Sequence, residues 1–472
     1  MNILLYYEVS VFTDGFSGFP SIEGIKYHLD KYCGSALLKN KDVDIKMIIP
    51  EICSFYNSKN HVLDKFNPIT IYDNELLKCY DNKYTFGKIW QKVFLDNLTD
   101  TERENCAKLF KSKLGDWVPD LIITFPTNNR SLDKAFPNAL QVNNENGIFS
   151  RYPFMRTLRF EPLGYVSNFT NKFVDKIKNY TITDEENAKV DNFRTQIIEL
   201  IEKYNPYKKQ IAKLKKKFKY LVLLPIITDN FSEEANCDDS FLYLDSVLQK
   251  IPEHIGVIIT KHDGIQDMLN DRVLDYLQSK YKNLITIDRN ILVDNKRKPT
   301  SMSLPFFNHV DAVINCYSST GLQACLWNTR IIANDKLYSH WFADKIGLDN
   351  IDDFLRTPVK NKNAMLHWYL THFVVYEDKF NDNEWYYNYF KTKIEKYRKE
   401  GITFDFFDKT RDFNEISEYI ISYVKDYYLR VHKTFFQKAL IRLCSYRKDE
   451  TQTRFYILGL KFRWPNNKKE KE

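Results

Sequence analysis

Short apolar, β-branched runs separated by stretches long enough for a helix occur in two successive series along this sequence, and that rhythm leaves few folds open. In the first series the runs are 2–7 (NILLYY), 44–50 (DIKMIIP), 69–72 (ITIY) and 119–126 (PDLIITFP). In the second they are 220–227 (YLVLLPII), 255–260 (IGVIIT), 284–288 (LITID), 311–316 and 329–333. Runs of this kind read as strands, and strands that alternate with helices build parallel sheets. The expected fold class is α/β, with two Rossmann-like units in tandem facing a central cleft, followed by C-terminal helices.

The chain divides on this pattern into four parts. Residues 1–180 form an N-terminal Rossmann-like domain with a GFSGFP loop at 15–20, a helical segment at 21–32 and a loop-rich end at 128–168. Residues 181–219 are a helical connector whose last part, KKQIAKLKKKFK, carries seven lysines in twelve residues; a solvated face is its default reading, and contact with anionic lipid or a phosphorylated ligand is the alternative. Residues 220–380 are the second Rossmann-like domain. Residues 381–472 are expected to be helical, including a long segment at 414–447, and to end in a basic amphipathic tail. There Phe435, Phe436, Ala439, Leu440 and Leu443 share one helical face, and Phe455, Tyr456, Phe462 and Trp464 add aromatic anchors. Such a tail suits a membrane surface, although the same aromatics would also serve a packed core.

Composition supports globular packing: 43% of the 472 residues are hydrophobic and 15% aromatic, with 14 Gly and 15 Pro. The formal charge of +7 does not call for a nucleic-acid partner. Eight cysteines are scattered without a CxxC pair or zinc-ligand spacing, which points away from a metal knuckle or disulfide framework and toward a reducing cytoplasm. The start, MNILLYYEVS, has no basic n-region and is interrupted by Glu8, so it reads as a core strand; no apolar run is long enough for a transmembrane helix. Dinucleotide, P-loop and zincin signatures are missing, and no DxD motif stands in a convincing context. Asp238 and Asp239 are read as the start of the following helix.

The stretch DAVINCYSSTGLQACLWNTRIIAN at 311–334 reads as strand, turn, helix and strand. Ser318, Ser319 and Thr320 then fall where free N–H groups and the positive helix end attract an anion such as a phosphate or carboxylate. A helix cap explains one hydroxyl, not three. Asp229 follows the first strand of the second series, and Lys261 with His262 follows the next, all at carboxyl ends. Asp229 suits a nucleophile or base, or else a turn; His262 suits a hydrogen bond to phosphate or a leaving-group oxygen, or else a cap. Glu161, flanked by Arg156 and Arg159 in the loop region, suits a second catalytic carboxylate or a surface ion pair. Two Rossmann-like halves about a cleft describe the GT-B architecture of nucleotide-sugar glycosyltransferases, with the donor in the C-terminal half and the acceptor in the N-terminal half.

TDN at 228–230, KHD at 261–263 and YSSTGLQACLWNTRIIA at 317–333 resemble the retaining β-Kdo glycosyltransferases of bacterial capsule and lipopolysaccharide synthesis, over residues 2–344; the last motif is the specific one. The resemblance implies transfer of Kdo from CMP-Kdo to a saccharide or glycolipid acceptor with retention, without a metal or other cofactor. The protein would be cytoplasmic and peripheral on the inner face of the bacterial inner membrane. Asp229 would be the nucleophile that forms a glycosyl adduct, Glu161 would assist acceptor deprotonation, and His262 with Ser318, Ser319 and Thr320 would hold the CMP or the sugar carboxylate. Arg156, Arg159 and Lys261 would offset the repulsion between a carboxylate nucleophile and an acidic sugar. A GT-B enzyme with another donor, such as CMP-sialic acid, and a non-catalytic capsule-assembly scaffold are the alternatives.

Overall fold

A computed structural model describes residues 1–8, 34–125, 129–149, 151–164, 168–226, 239–260, 271–287, 301–335 and 338–431, together with the backbone of 444–448, 452–457 and 460–465. The expected helix at 21–32, the GFSGFP loop and the apolar face at Phe435 to Leu443 lie outside these residues.

The first half holds six strands, the four of the first series and two more: β1 (Asn2–Tyr7), β2 (Asp44–Pro50), β3 (Pro68–Ile71), β4 (Leu121–Phe125), β5 (Leu140–Asn146) and β6 (Thr157–Glu161). The second series gives β7 (Tyr220–Pro225), β8 (Ile255–Thr260), β9 (Leu284–Ile285), β10 (Ala312–Asn315), β11 (Arg330–Ala333) and β12 (Lys345–Ile346). A late strand, β13 (Val375–Tyr376), returns to the first sheet, whose order is β13-β6-β5-β4-β1-β2-β3. The second sheet has the order β12-β11-β10-β7-β8-β9 and is parallel throughout. Both sheets start in the middle, run outward to one edge and then cross to the other side, which is the Rossmann order. The architecture is therefore α/β and GT-B-like, as expected.

Alternation within the strands separates the cores. Leu221 and Leu223 join one large core with Ile3, Leu5 and Val313, whereas Val222 and Leu224 face a second core with Val257 and Ile314. Apolar side chains on both faces explain why these strands read as unbroken apolar runs. Ser240–Lys250 is helical, capped by the Asp239 carboxylate, which accepts from Leu242 N at 2.7 Å, as the sequence led us to expect. Among the described residues no helix is long and apolar enough to cross a membrane.

Two expectations are corrected. The region at 128–168 is not loop-rich: β5 and β6 cross it as an antiparallel pair, with Asn143 opposite Glu161 and Glu145 opposite Arg159. Their polar residues lack the apolar signature of a strand because they face a buried polar layer. Nor does one helix fill 414–447. A helix at Phe413–Val431 is followed by β14 (Cys444–Lys448), β15 (Gln452–Ile457) and β16 (Leu460–Pro465), paired antiparallel. The strict alternation in LKFRW, with Gly459 between β15 and β16, favours a hairpin over a helix.

Candidate functional site

The strand order of the second sheet reverses between β7 and β10, and open α/β sheets bind ligands in the crevice at the carboxyl end of such a switch point. β7 and β8 run in register to their ends, with Pro225 opposite Thr260, and β10 lies on the other flank of β7. Asp229 comes three residues after Ile226, Lys261 and His262 come one and two after Thr260, and Ser318 comes three after Asn315. Each is tethered to that edge by a few peptide units of about 3.5 Å. Asp229, Lys261 and His262 themselves lie outside the described residues. The Ser-Ser-Thr turn lies within them.

That turn is built on Asn315, the last residue of β10. Its Oδ1 accepts from Gly321 N at 3.0 Å, and its Nδ2 donates to Ser339 Oγ at 2.6 Å. Ser339 in turn donates to Asp335 through N at 3.0 Å and through Oγ. Tyr317 takes a left-handed conformation at φ +53° and swings the chain into a six-residue helix, Ser319–Ala324. Gly321 is required there, since a Cβ would stand 2.5 Å from Asn315 Cγ. Ser318 is the cap, its Oγ accepting from Thr320 N at 3.2 Å. Ser319 and Thr320 are half-buried, and their hydroxyls have no hydrogen bond among the described residues. One hydroxyl of the three caps the helix; the other two have no partner among the described residues.

The first half meets this turn directly. Gln323 Nε2 donates to the carbonyl of Ile148 at 2.8 Å, and Tyr317 packs its ring against Phe94 at 5.4 Å and Tyr338 at 4.8 Å. Tyr338 stands beside Arg159, so an aromatic layer links the turn to β6.

Arg159 and Glu161 occupy a buried polar layer, 2% and 0% exposed. Glu161 Oε1 accepts from Phe169 N at 2.7 Å, and Leu163 N lies 3.4 Å away, so this oxygen seats the helix start at Asn168–Lys172. The expected surface ion pair is corrected by this burial. Burial opposes the Arg159 charge, but Tyr369, Tyr338, Glu145 and Glu161 around it hold its pKa above the ordinary value. Burial pushes the Tyr338 hydroxyl up to about 12 and that of Tyr369 up as well, which keeps both protonated near neutrality. Among the described residues Nε and Nη1 of Arg159 have no hydrogen-bond partner, yet its charge already faces two carboxylates.

Arg156 and Arg159 are not brought together. Arg156 N donates to Glu377 Oε2 at 3.1 Å, and its guanidinium, lowered in pKa by burial, lies near Glu377 and Tyr423. Three positions of offset on an extended chain send the two side chains to opposite faces. Sequence reasoning missed Asn315, Asp335, Tyr338 and Tyr369. The first two sit at or just past the carboxyl ends of β10 and β11 and were open to the strand-end rule; the tyrosines carry no local signal.

No family model matches the sequence, and no curated protein matches it. Among solved structures the chain is similar to Thermosulfurimonas dismutans KpsC, a beta Kdo 2,7 transferase, with 13% identity, TM-score 0.36, and coverage of 64% of this chain and 96% of that one. It is also similar to the Methanocaldococcus jannaschii UDP-GlcNAc 2-epimerase in complex with UDP-GlcNAc and UDP, at 12% identity, TM-score 0.31, 78% and 98% coverage. A third is the E. coli trehalose-6-phosphate structure bound with UDP-2-fluoro glucose, at 11% identity, TM-score 0.31, 82% and 98% coverage.

Proposed function

We propose that this protein is a glycosyltransferase that moves an acidic sugar, Kdo, from its CMP-linked donor to a saccharide or glycolipid acceptor with retention, at the cytoplasmic face of a bacterial membrane. The observation that carries this is the switch point of the second sheet. There the strands that lead into Asp229 and His262 end beside a turn in which two hydroxyls have no partner among the described residues.

In this account the Asp229 carboxylate attacks the anomeric carbon, and the bond from that carbon to the phosphate oxygen breaks with its electron pair leaving on CMP. The acceptor hydroxyl then attacks the same carbon, displaces Asp229 and loses its proton to a base. Two inversions give retention. Donors that meet the leaving phosphate and the sugar carboxylate stabilise the charge that develops: the hydroxyls of Ser319 and Thr320, the His262 ring and the Lys261 ammonium. A monophosphate leaving group carries less charge than a diphosphate, which suits a hydroxyl and imidazole seat.

Thermal unfolding measured with cytidine, uridine and guanosine nucleotides tests the donor class, because a ligand bound only by the folded state raises the midpoint by mass action. A rise with CMP alone, and CMP release from CMP-Kdo in the presence of a saccharide, is expected. A rise with uridine or guanosine diphosphates instead would shift the donor, and no rise with any would oppose a transferase.

A further inference from the structure

We propose that the helix Lys208–Lys217 is a docking surface for an anionic lipid bilayer. Lys208, Lys209, Lys213, Lys215, Lys216, Lys217 and Lys219 are all exposed, and none forms an ion pair among the described residues. Residues 204–226 contain no Asp or Glu at all, and outside these seven lysines 62 basic residues face 62 acidic ones, so the helix together with Lys219 just past its end accounts for the whole formal charge of +7.

The helix is held firmly. Tyr207, Ile211 and Phe218 are buried, Leu214 packs beside them, and these positions at spacings of four, three and four form the single stripe that faces the core. The lysines cover the rest. This makes a fixed face of positive charge, not a loose tail.

Its place in the fold separates it from the sugar chemistry. Lys219 N donates to His254 O at 3.0 Å just before β7 begins, so the helix ends at the amino edge of the second sheet. Six residues of strand, about 20 Å, lie between that edge and the switch point. The ligand of the lysine face is therefore not the substrate in the crevice. Its composition selects a diffuse negative surface. Lysine is a mobile point charge without the planar fork that arginine offers to single phosphates, and the helix presents no aromatic ring on which bases would stack. A bilayer rich in anionic headgroups fits a face of this kind.

The proposal does not depend on the transferase reading and needs only vesicles. The full chain is sedimented with phosphatidylcholine vesicles with and without phosphatidylglycerol. Binding to the anionic vesicles, at least about tenfold tighter than to the neutral ones and lost in high salt, is expected. The variant Lys213→Glu/Lys216→Glu/Lys217→Glu should bind at least about tenfold more weakly with an unchanged unfolding midpoint. If that variant fails to fold, the corresponding triple Lys→Gln variant is read the same way. Undiminished vesicle binding by the variant, loss of binding only when residues 444–472 are removed, or tighter binding to a nucleic-acid duplex than to the vesicles would each overturn the proposal.

Discussion

Gln323 and Ile148 are 175 residues apart in sequence, yet the Gln323 side-chain amide donates to the Ile148 carbonyl at 2.8 Å in a buried position. This bond ties the helix behind the Ser-Ser-Thr turn to the first half of the chain, so the hydroxyl turn and β5's end of the first sheet are held in one register. Replacing Gln323 with Leu leaves the Ile148 carbonyl without that partner, a loss of about 1–3 kcal/mol in unfolding free energy. Chemical denaturation of the variant is the measurement, and a nucleotide midpoint shift smaller than that of the natural protein should accompany it.

Glu161 gives a test that separates a structural from a catalytic task. Its Oε1 accepts from Phe169 N, and the side chain is wholly buried. Glu161→Ala should cost about 1–3 kcal/mol by stranding that N–H, while Glu161→Gln, which keeps a carbonyl oxygen in place, should retain most of the stability. Comparing CMP release by the folded Gln variant with that of the natural protein then isolates the charge: an unchanged rate assigns Glu161 to positioning alone, and a fall of more than about 100-fold assigns it to proton transfer.

Buried tyrosines set the alkaline limit of the fold. The Tyr338 hydroxyl is raised by burial from 10.0 to about 12, and burial raises Tyr369 in the same direction. A group whose folded pKa exceeds its unfolded value adds stability that is complete below pH 10 and is lost as pH rises through the folded value. Stability should thus be flat in this respect near neutrality and fall between about pH 10 and 12, by about 1.4 kcal/mol per unit for each such tyrosine. Denaturation midpoints across that range check this, and Tyr338→Phe should shallow the fall.

The parallel strands were legible because burial on both faces writes itself as an apolar run: YLVLLP and IGVIIT show it directly. β5 was not, since LQVNNEN turns Gln141 and Asn143 into an interior polar layer that local propensity reads as loop. β13 has two residues and belongs to its sheet only through pairing with β6 across more than two hundred residues. The C-terminal sheet is hard to read because its aromatic and basic residues at 444–465 also suit a membrane-facing tail, and only their period of two, as in LKFRW, marks them as strands. At the site, the serine cap and the strand-end placement of Ser318 were legible in the sequence, whereas Asp229 and His262 lie outside the described residues. The separation of Arg156 from Arg159, and the supply of Tyr338 and Tyr369 from the second half, depend on contacts that no local pattern encodes.

Intact-mass analysis after mixing the protein with CMP-Kdo in the absence of acceptor bears most directly on the chemistry assigned to the switch point. The account predicts release of CMP together with the added mass of one Kdo unit, mapped to the peptide that carries Asp229 and absent from Asp229→Ala. CMP release by Asp229→Ala equal to that of the natural protein, or an adduct on a different residue, would contradict it.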